Sequence, residues 1–274
     1  MSEETGDRAQ ASIGVFDSGL GGLTVARAIR ARLPNEHLVY LGDTARVPYG
    51  SRSAQTVIRY ARGCARHLQR HGVKVLVVAC NTVSAVAVDM LRVELDVPVI
   101  GVVEPGASAA VAATRKGRVG VLATRGTVAS GAYVRAVSAL DSRVEVVQEP
   151  APLLVPLAEE GWTEGAVPEE VVRKYLEALA PRDVDTIVLG CTHYPLLRPV
   201  IEAEGRAALG DELAVVDGAE ATALELERIL DDRGLRRQGE GGMRITVTDL
   251  PDRFQEVASR FLGAEAGEVE AIDL

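Results

Sequence analysis

Val75-Leu76-Val77-Val78-Ala79-Cys80-Asn81-Thr82 and Thr186-Ile187-Val188-Leu189-Gly190-Cys191-Thr192-His193 are two versions of one local pattern. In each, a run of β-branched and aliphatic residues reads as a buried parallel strand, and the polar residues around the cysteine suit the start of a helix. Both thiols are therefore expected at the carboxyl ends of strands, the edge at which open parallel sheets bind ligands. Helix N-terminal amides stabilise a nearby thiolate. Two such thiols facing one substrate could add and remove the same proton.

The repetition extends upstream. Ile13-Gly14-Val15-Phe16-Asp17-Ser18-Gly19 is matched by Val119-Gly120-Val121-Leu122-Ala123-Thr124-Arg125-Gly126; these openings stand 106 residues apart and the cysteines 111 apart. A nearly constant displacement points to two related lobes, each running strand, polar turn, helix and later a strand that ends in cysteine. Val-rich parallel strands alone would look alike by chance, but here turn chemistry and cysteine placement agree as well.

The 274 residues suffice for one large domain or two that each bury a core. A net charge of −9 argues against a nucleic-acid surface, and Arg118, Arg125, Arg135 and Arg143 are spread among acids and apolar residues. Met1 to Gln10 is polar, without the marks of a secretory signal or lipid anchor, and no apolar run reaches membrane-spanning length. With three cysteines, a disulfide framework is not expected, and the expected location is cytoplasmic. Lys74, Lys116 and Lys174 do not stand at strand carboxyl ends, which speaks against a pyridoxal Schiff base.

Strands are expected at Ile13 to Phe16, Leu38 to Leu41, Val75 to Ala79, Val97 to Val102, Val119 to Leu122, Val144 to Val147, Thr186 to Leu189 and Leu213 to Val216. Helical patterns include Leu23 to Arg32, Ala54 to Arg70, Ser84 to Leu95, Val128 to Leu140 and Glu169 to Leu179. The alternation predicts an α/β fold of two pseudo-symmetric lobes, each a mostly parallel sheet flanked by helices, with the active site in the cleft between them. Glu104-Pro105-Gly106 marks a crossing and Gly210 to Leu213 a return. These boundaries place residues 11–102 and 213–274 in the first lobe and 103–212 in the second. A last strand and helix are expected within Arg244 to Leu262.

Gly19-Leu20-Gly21-Gly22-Leu23-Thr24 follows a strand and opens a helix, with Asp43 at the end of the next strand, as in a dinucleotide-binding fingerprint. The match is imperfect. Thr24 stands where a small third residue is expected, and the Asp17 carboxylate lies where a pyrophosphate would approach.

D-S-G-L-G-G (17–22), D-T-A-R-V-P-Y-G-S-R (43–52), A-C-N-T (79–82), P-L-A-E-E-G (156–161) and G-C-T-H-Y-P (190–195) together resemble the glutamate branch of the cofactor-independent aspartate and glutamate racemases. The resemblance covers roughly Ser12 to Leu230. It implies interconversion of L- and D-glutamate without a cofactor, supplying D-glutamate for bacterial peptidoglycan. It also implies that Asp17 partners Cys80, that His193 partners Cys191 and that Glu159 orients His193, although Glu160 is adjacent.

Racemisation needs an acid/base group on each face of Cα and donors for the charge that builds on the substrate carboxylate. Asn81, Thr82 and Thr192 stand beside the thiols at expected helix starts; Ser18, Tyr49 and Gly50 could grip a second carboxylate, with Thr127 a further candidate. Singly, each of these residues reads as core, turn or cap, and Cys64 reads as core filler. A zinc site from Cys80, Cys191 and His193 would have unusual C-x-H spacing and no evident fourth ligand, so no metal is expected. Other readings kept open are an aspartate or related racemase and a two-lobed amino-acid-binding protein. The segment from Gly234 lies beyond the confident match and could cover a lobe, cap a sheet edge or join a partner subunit, with a homodimer left open. Trp162 could mark a mobile region or ordinary core.

Overall fold

In the computed structural model the described residues are 8–274; residues 1–7 of the polar stretch read above for targeting signals lie outside them. Strands β1 (Ile13–Asp17), β2 (His37–Gly42), β3 (Val75–Val78) and β4 (Val99–Gly101) form one parallel sheet, joined by β9 (Gly242–Val247) and β10 (Val269–Ala271) in the order β10-β9-β2-β1-β3-β4. Strands β5 (Arg118–Ala123), β6 (Glu145–Pro150), β7 (Thr186–Gly190) and β8 (Ala214–Asp217) form a second parallel sheet in the order β6-β5-β7-β8. The shared core order, 2-1-3-4 against 6-5-7-8, is the topological form of the internal repeat. Both sheets reverse strand order beside their first strand, and such switch points open a crevice at the carboxyl edge. Cys80 follows β3 and Cys191 follows β7, so each lies at the switch point of its own sheet.

One expectation is corrected. The sequence boundaries put the strand near residues 213–216 with residues 213–274 in the first lobe, but it pairs in parallel with β7, Ile187 opposite Val215. It is the counterpart of β4, and the return to the first sheet comes after Asp217. There α10 (Gly218–Asp232) begins, with the Asp217 side chain accepting from the Ala219 amide at 2.6 Å. α10 packs on α1 (Leu23–Arg32) of the first lobe and on α4 (Val103–Ala113), which follows β4. The crossings are close: a Cβ at Gly218 would lie 3.1 Å from the Val102 carbonyl.

Helices α1 and α2 (Ala54–Arg70) match their expected spans, whereas the helix expected over Val128 to Leu140 is divided into α5 (Arg125–Ser130) and α6 (Ala132–Leu140). The break is Gly131, whose φ of 65° ends a helix in the left-handed conformation. α3 (Asn81–Glu94) starts earlier than its hydrophobic period suggested, with Cys80 at its N-cap. One apolar cluster runs from Ile13, Val15 and Leu23 through Leu226 and Leu230 of α10 to Leu189, Tyr194 and Ile201. The lobes thus share a core on one side and meet at a cleft on the other. The C-terminal segment adds β9 and β10 to the β2 edge and lays α11 (Pro251–Leu262) against α1. Among the described residues no helix is long and apolar enough to cross a membrane.

Lys74 precedes β3, at the edge of the sheet opposite the cysteines. Its ammonium is buried against Glu36 at 2.6 Å and donates to the carbonyls of Ala9 and Leu235, each at 2.8 Å. Burial pushes its pKa down against the pull of Glu36. This ion pair joins the N-terminal segment, the turn before β2 and the chain after α10. Removing one partner from a buried pair leaves the other charge uncompensated, so Glu36→Ala should cost about 3–5 kcal/mol, measured by urea denaturation. Pairing Glu36→Leu with Lys74→Met should recover most of that loss.

Candidate active site

Each switch point builds its thiol a different environment. In the first lobe β1 ends in Asp17, fully buried, whose Oδ2 accepts from the Gly19 amide at 3.0 Å. Its Oδ1 is buried without a hydrogen-bond partner. Burial pushes the carboxyl up; the charge of His193 and the amides of Gly22, Gly19 and Ser18 hold it back. The Cys80 thiol donates to Ser18 Oγ at 3.4 Å. Burial, followed by the charge of Asp17, pushes it up to about 12, and charge on Cys191 is also felt there. The two thiols therefore lie within electrostatic reach of one another.

In the second lobe Cys191 Sγ lies 3.7 Å from His193 Nδ1, and His193 Nε2 lies 3.0 Å from Glu159 Oε1. Burial alone would push the imidazole down, but its hydrogen bonds to Cys191 and Glu159 prevail and carry it up to about 10. An imidazolium beside the sulfur puts positive charge where a thiolate would form. Glu159 is the residue of the pair that meets the histidine, while Glu160 is exposed. They end α7 (Leu154–Glu160), on which successive side chains point in directions about 100° apart, so only one of the two faces the histidine.

Further expected residues converge on the same seam. The Asn81 Oδ1 accepts from Tyr133 Oη at 2.8 Å, and Thr82 Oγ1 lies 2.9 Å from Thr124 Oγ1 and 3.4 Å from Thr127 Oγ1. Thr192 offers its carbonyl to Thr24 Oγ1 at 3.1 Å. The Tyr49 hydroxyl is committed to Asp43, and its ring is buried against Tyr60. Gly50 backs onto Thr124, where a Cβ would come within 2.8 Å of the Thr124 Cβ. Cys64 is buried core, as its setting suggested; Trp162 is 56% exposed and is not.

Tyr133, Thr124 and Thr24 are contacts that no motif assigned. Thr124 could have been found as the repeat partner of Ser18, and Thr24 was visible as the break in the glycine fingerprint; Tyr133 left no local signal. The glycines of 19–22 also acquire a purpose. A Cβ on Gly21 would stand 2.4 Å from Thr192 Oγ1 and 2.5 Å from His193 Nδ1. The turn is glycine-rich where the second lobe closes on it, which accounts for a fingerprint that fits a dinucleotide poorly. Among the described residues no group of three or more His, Cys, Asp or Glu is arranged to hold a metal ion.

Two like-built parallel sheets, each with a cysteine at the end of a switch-point strand, are the two-lobed α/β architecture of the racemase class. The chain belongs to the Asp/Glu/hydantoin racemase family, whose model matches residues 23–226. It is 49% identical to the glutamate racemase of Geobacter metallireducens over 265 residues, 96% of this chain and 97% of that protein. The crystal structure of a glutamate racemase isoform from Bacillus anthracis superposes with a TM-score of 0.91 at 39% identity, covering 96% of this chain and 98% of that one. That of the Francisella tularensis glutamate racemase, in complex with D-glutamate, gives 0.89 at 33% identity, with coverage of 97% and 98%. The motif resemblance and the expected two-lobed fold both hold.

Two outcomes test this geometry. Gly21→Ala should lower kcat by about 100-fold, because a displacement near 1 Å is costly in an oriented site, while far-UV circular dichroism stays unchanged. Glu159→Gln removes the carboxylate that holds the imidazolium, so the His193 pKa should fall, as followed by NMR titration of the imidazole.

Proposed function

We propose that this chain interconverts L-glutamate and D-glutamate by proton transfer between two cysteines, serving as a cytoplasmic source of D-glutamate for peptidoglycan. The observation that carries the reading is the pairing of Cys80 and Cys191 at equivalent switch points, each with its own buried partner. The relatives' names support the choice of substrate, as does the D-glutamate bound in the Francisella tularensis structure. Residues 11–102 and 218–274 would form one lobe and 103–217 the other, so that closure brings one thiol to each face of Cα.

In one direction the Cys191 thiolate takes the Cα proton and becomes a thiol. The electron pair of the broken C–H bond moves onto the substrate carboxylate, and the Cys80 thiol then delivers its proton to the opposite face. The imidazolium of His193 prepares Cys191 for this role. In the other direction the Cys80 thiolate left by that delivery takes the Cα proton of D-glutamate and the Cys191 thiol returns its own, with Asp17, its carboxyl raised by burial, as the acid/base partner beside Cys80. Asn81, Thr82 and Thr192, at the starts of elements that follow the two strands, supply donors for the charge that develops on the carboxylate. Ser18, Gly50 and the backbone of Tyr49 would hold the distal carboxylate, with Thr127 behind Thr82. Both thiols are almost wholly buried, so the lobes must part to admit an amino acid and close to exclude water.

In deuterated water, L-glutamate should give D-glutamate that carries deuterium at Cα, while recovered L-glutamate stays largely unlabelled early in the reaction. Equal labelling of both from the outset would mean a single shared base. Cys80→Ser and Cys191→Ser should each lower kcat by about 10²–10⁴ in a fold that still melts cooperatively. Racemisation of aspartate alone would reassign the substrate.

A further inference from the structure

The C-terminal helix α11 crosses the lobe boundary and reaches the acid/base pair of the second thiol. α7 ends at Gly161, whose φ is 74°. The Gly161 amide donates to Ala158 O at 3.2 Å and the Trp162 amide to Leu157 O at 2.8 Å, so two carbonyls of the last turn find local partners. The next carbonyl, that of Glu159, receives Arg260 Nη1 at 2.6 Å. The guanidinium lies over the bare Cα of Gly161, where a Cβ would be 3.2 Å from Arg260 Cζ. A cation at a helix C-terminus also complements the helix dipole.

The following residue meets the other member of the pair. Phe261 is fully buried and sets its ring edge-on to His193, with centroids 5.3 Å apart and planes at 79°. Successive residues of α11 thus grip the backbone of Glu159 and the imidazole that the Glu159 side chain holds. α11 itself packs on α1 and beside β9, elements of the first lobe. The arrangement of the second thiol's partners therefore depends on a helix from the opposite side of the cleft.

We propose that Arg260 is a positioning residue for racemisation: it fixes Glu159 through its carbonyl, so that the Glu159 carboxylate holds His193 against Cys191 when the lobes are closed. This assigns to the C-terminal segment a role in the chemistry beyond extending the sheet, and it rests on the two-thiol reading above. An exposed arginine that merely caps a helix would affect both halves of the reaction alike. One acting through Glu159 serves only the Cys191 face.

The test compares wild type, Arg260→Ala, Arg260→Lys and, as a control on an exposed arginine of the same helix, Arg253→Ala. Arg260→Ala should lower kcat about ten-fold with KM changed less than about two-fold, the scale of losing a supporting contact to a reacting group. Lysine, which can still donate to the carbonyl, should recover most of the loss, and Arg253→Ala should match wild type. The deciding measurement is the primary isotope effect on kcat/KM with each glutamate enantiomer deuterated at Cα. In Arg260→Ala it should grow for the enantiomer whose proton passes to Cys191 and shrink for the other. Unchanged kinetics, or isotope effects that move together, would overturn the Arg260 assignment and leave the two-thiol reading standing. If Cys191→Ser retains wild-type activity, the two-thiol reading fails and the Arg260 assignment falls with it.

Discussion

The backbone of Gly21 lies so close to the Thr192 hydroxyl and the His193 ring that a methyl group would not fit between them. Everything distinctive about the cleft depends on this approach. It lets the charge of His193 reach Asp17 and that of Cys191 reach Cys80, although each pair is split between the two sheets. Thr24, Thr82 and Asn81 complete the seam with hydrogen bonds to Thr192, Thr124 and Tyr133. These are polar contacts that water can replace, so they specify the arrangement of the seam without welding it. The shared apolar cluster along α10 lies on the other side and keeps the lobes joined.

The two halves are alike in topology and unlike in electrostatics. The first surrounds its thiol with burial and a neighbouring carboxylate, both of which favour the neutral sulfur. The second gives its thiol an imidazole whose positive form is sustained by its hydrogen bonds to Cys191 and Glu159. For the proton transfer proposed above this asymmetry would suit a pair that begins as one thiol and one thiolate, because two equal sites would compete for the same protonation state. The repeat supplies matched positions, and divergence at Asp17 and His193 supplies the difference in charge.

Much of this was legible in the residues themselves. The strands around Cys80 and Cys191 declared themselves by unbroken β-branched runs, and α1 and α2 by their helical period and flanking polar residues. Motif position favours Glu159 over Glu160, and Glu159 is the residue that contacts His193. The strand at Ala214–Asp217 was recognised as a strand but assigned to the wrong sheet, since a short apolar run carries no record of its ladder partner. Gly131 sits inside a helical period, and a lone glycine is compatible with a continuing helix until its φ is known. Tyr133, Arg260 and Phe261 are ordinary in their local settings and acquire importance only from what lies opposite them.

By itself, the sequence determined the alternation of strand and helix, the doubled lobe and the placement of each cysteine at a strand's carboxyl end, because these follow from hydrophobic period and turn chemistry over a few residues. Only the tertiary structure decided which sheet receives the strand before α10, how closely Gly21 meets the second lobe, and that the C-terminal helix supports the histidine of the far thiol. Those features are contacts between segments well separated along the chain, and their energies depend on packing and burial that no local pattern encodes.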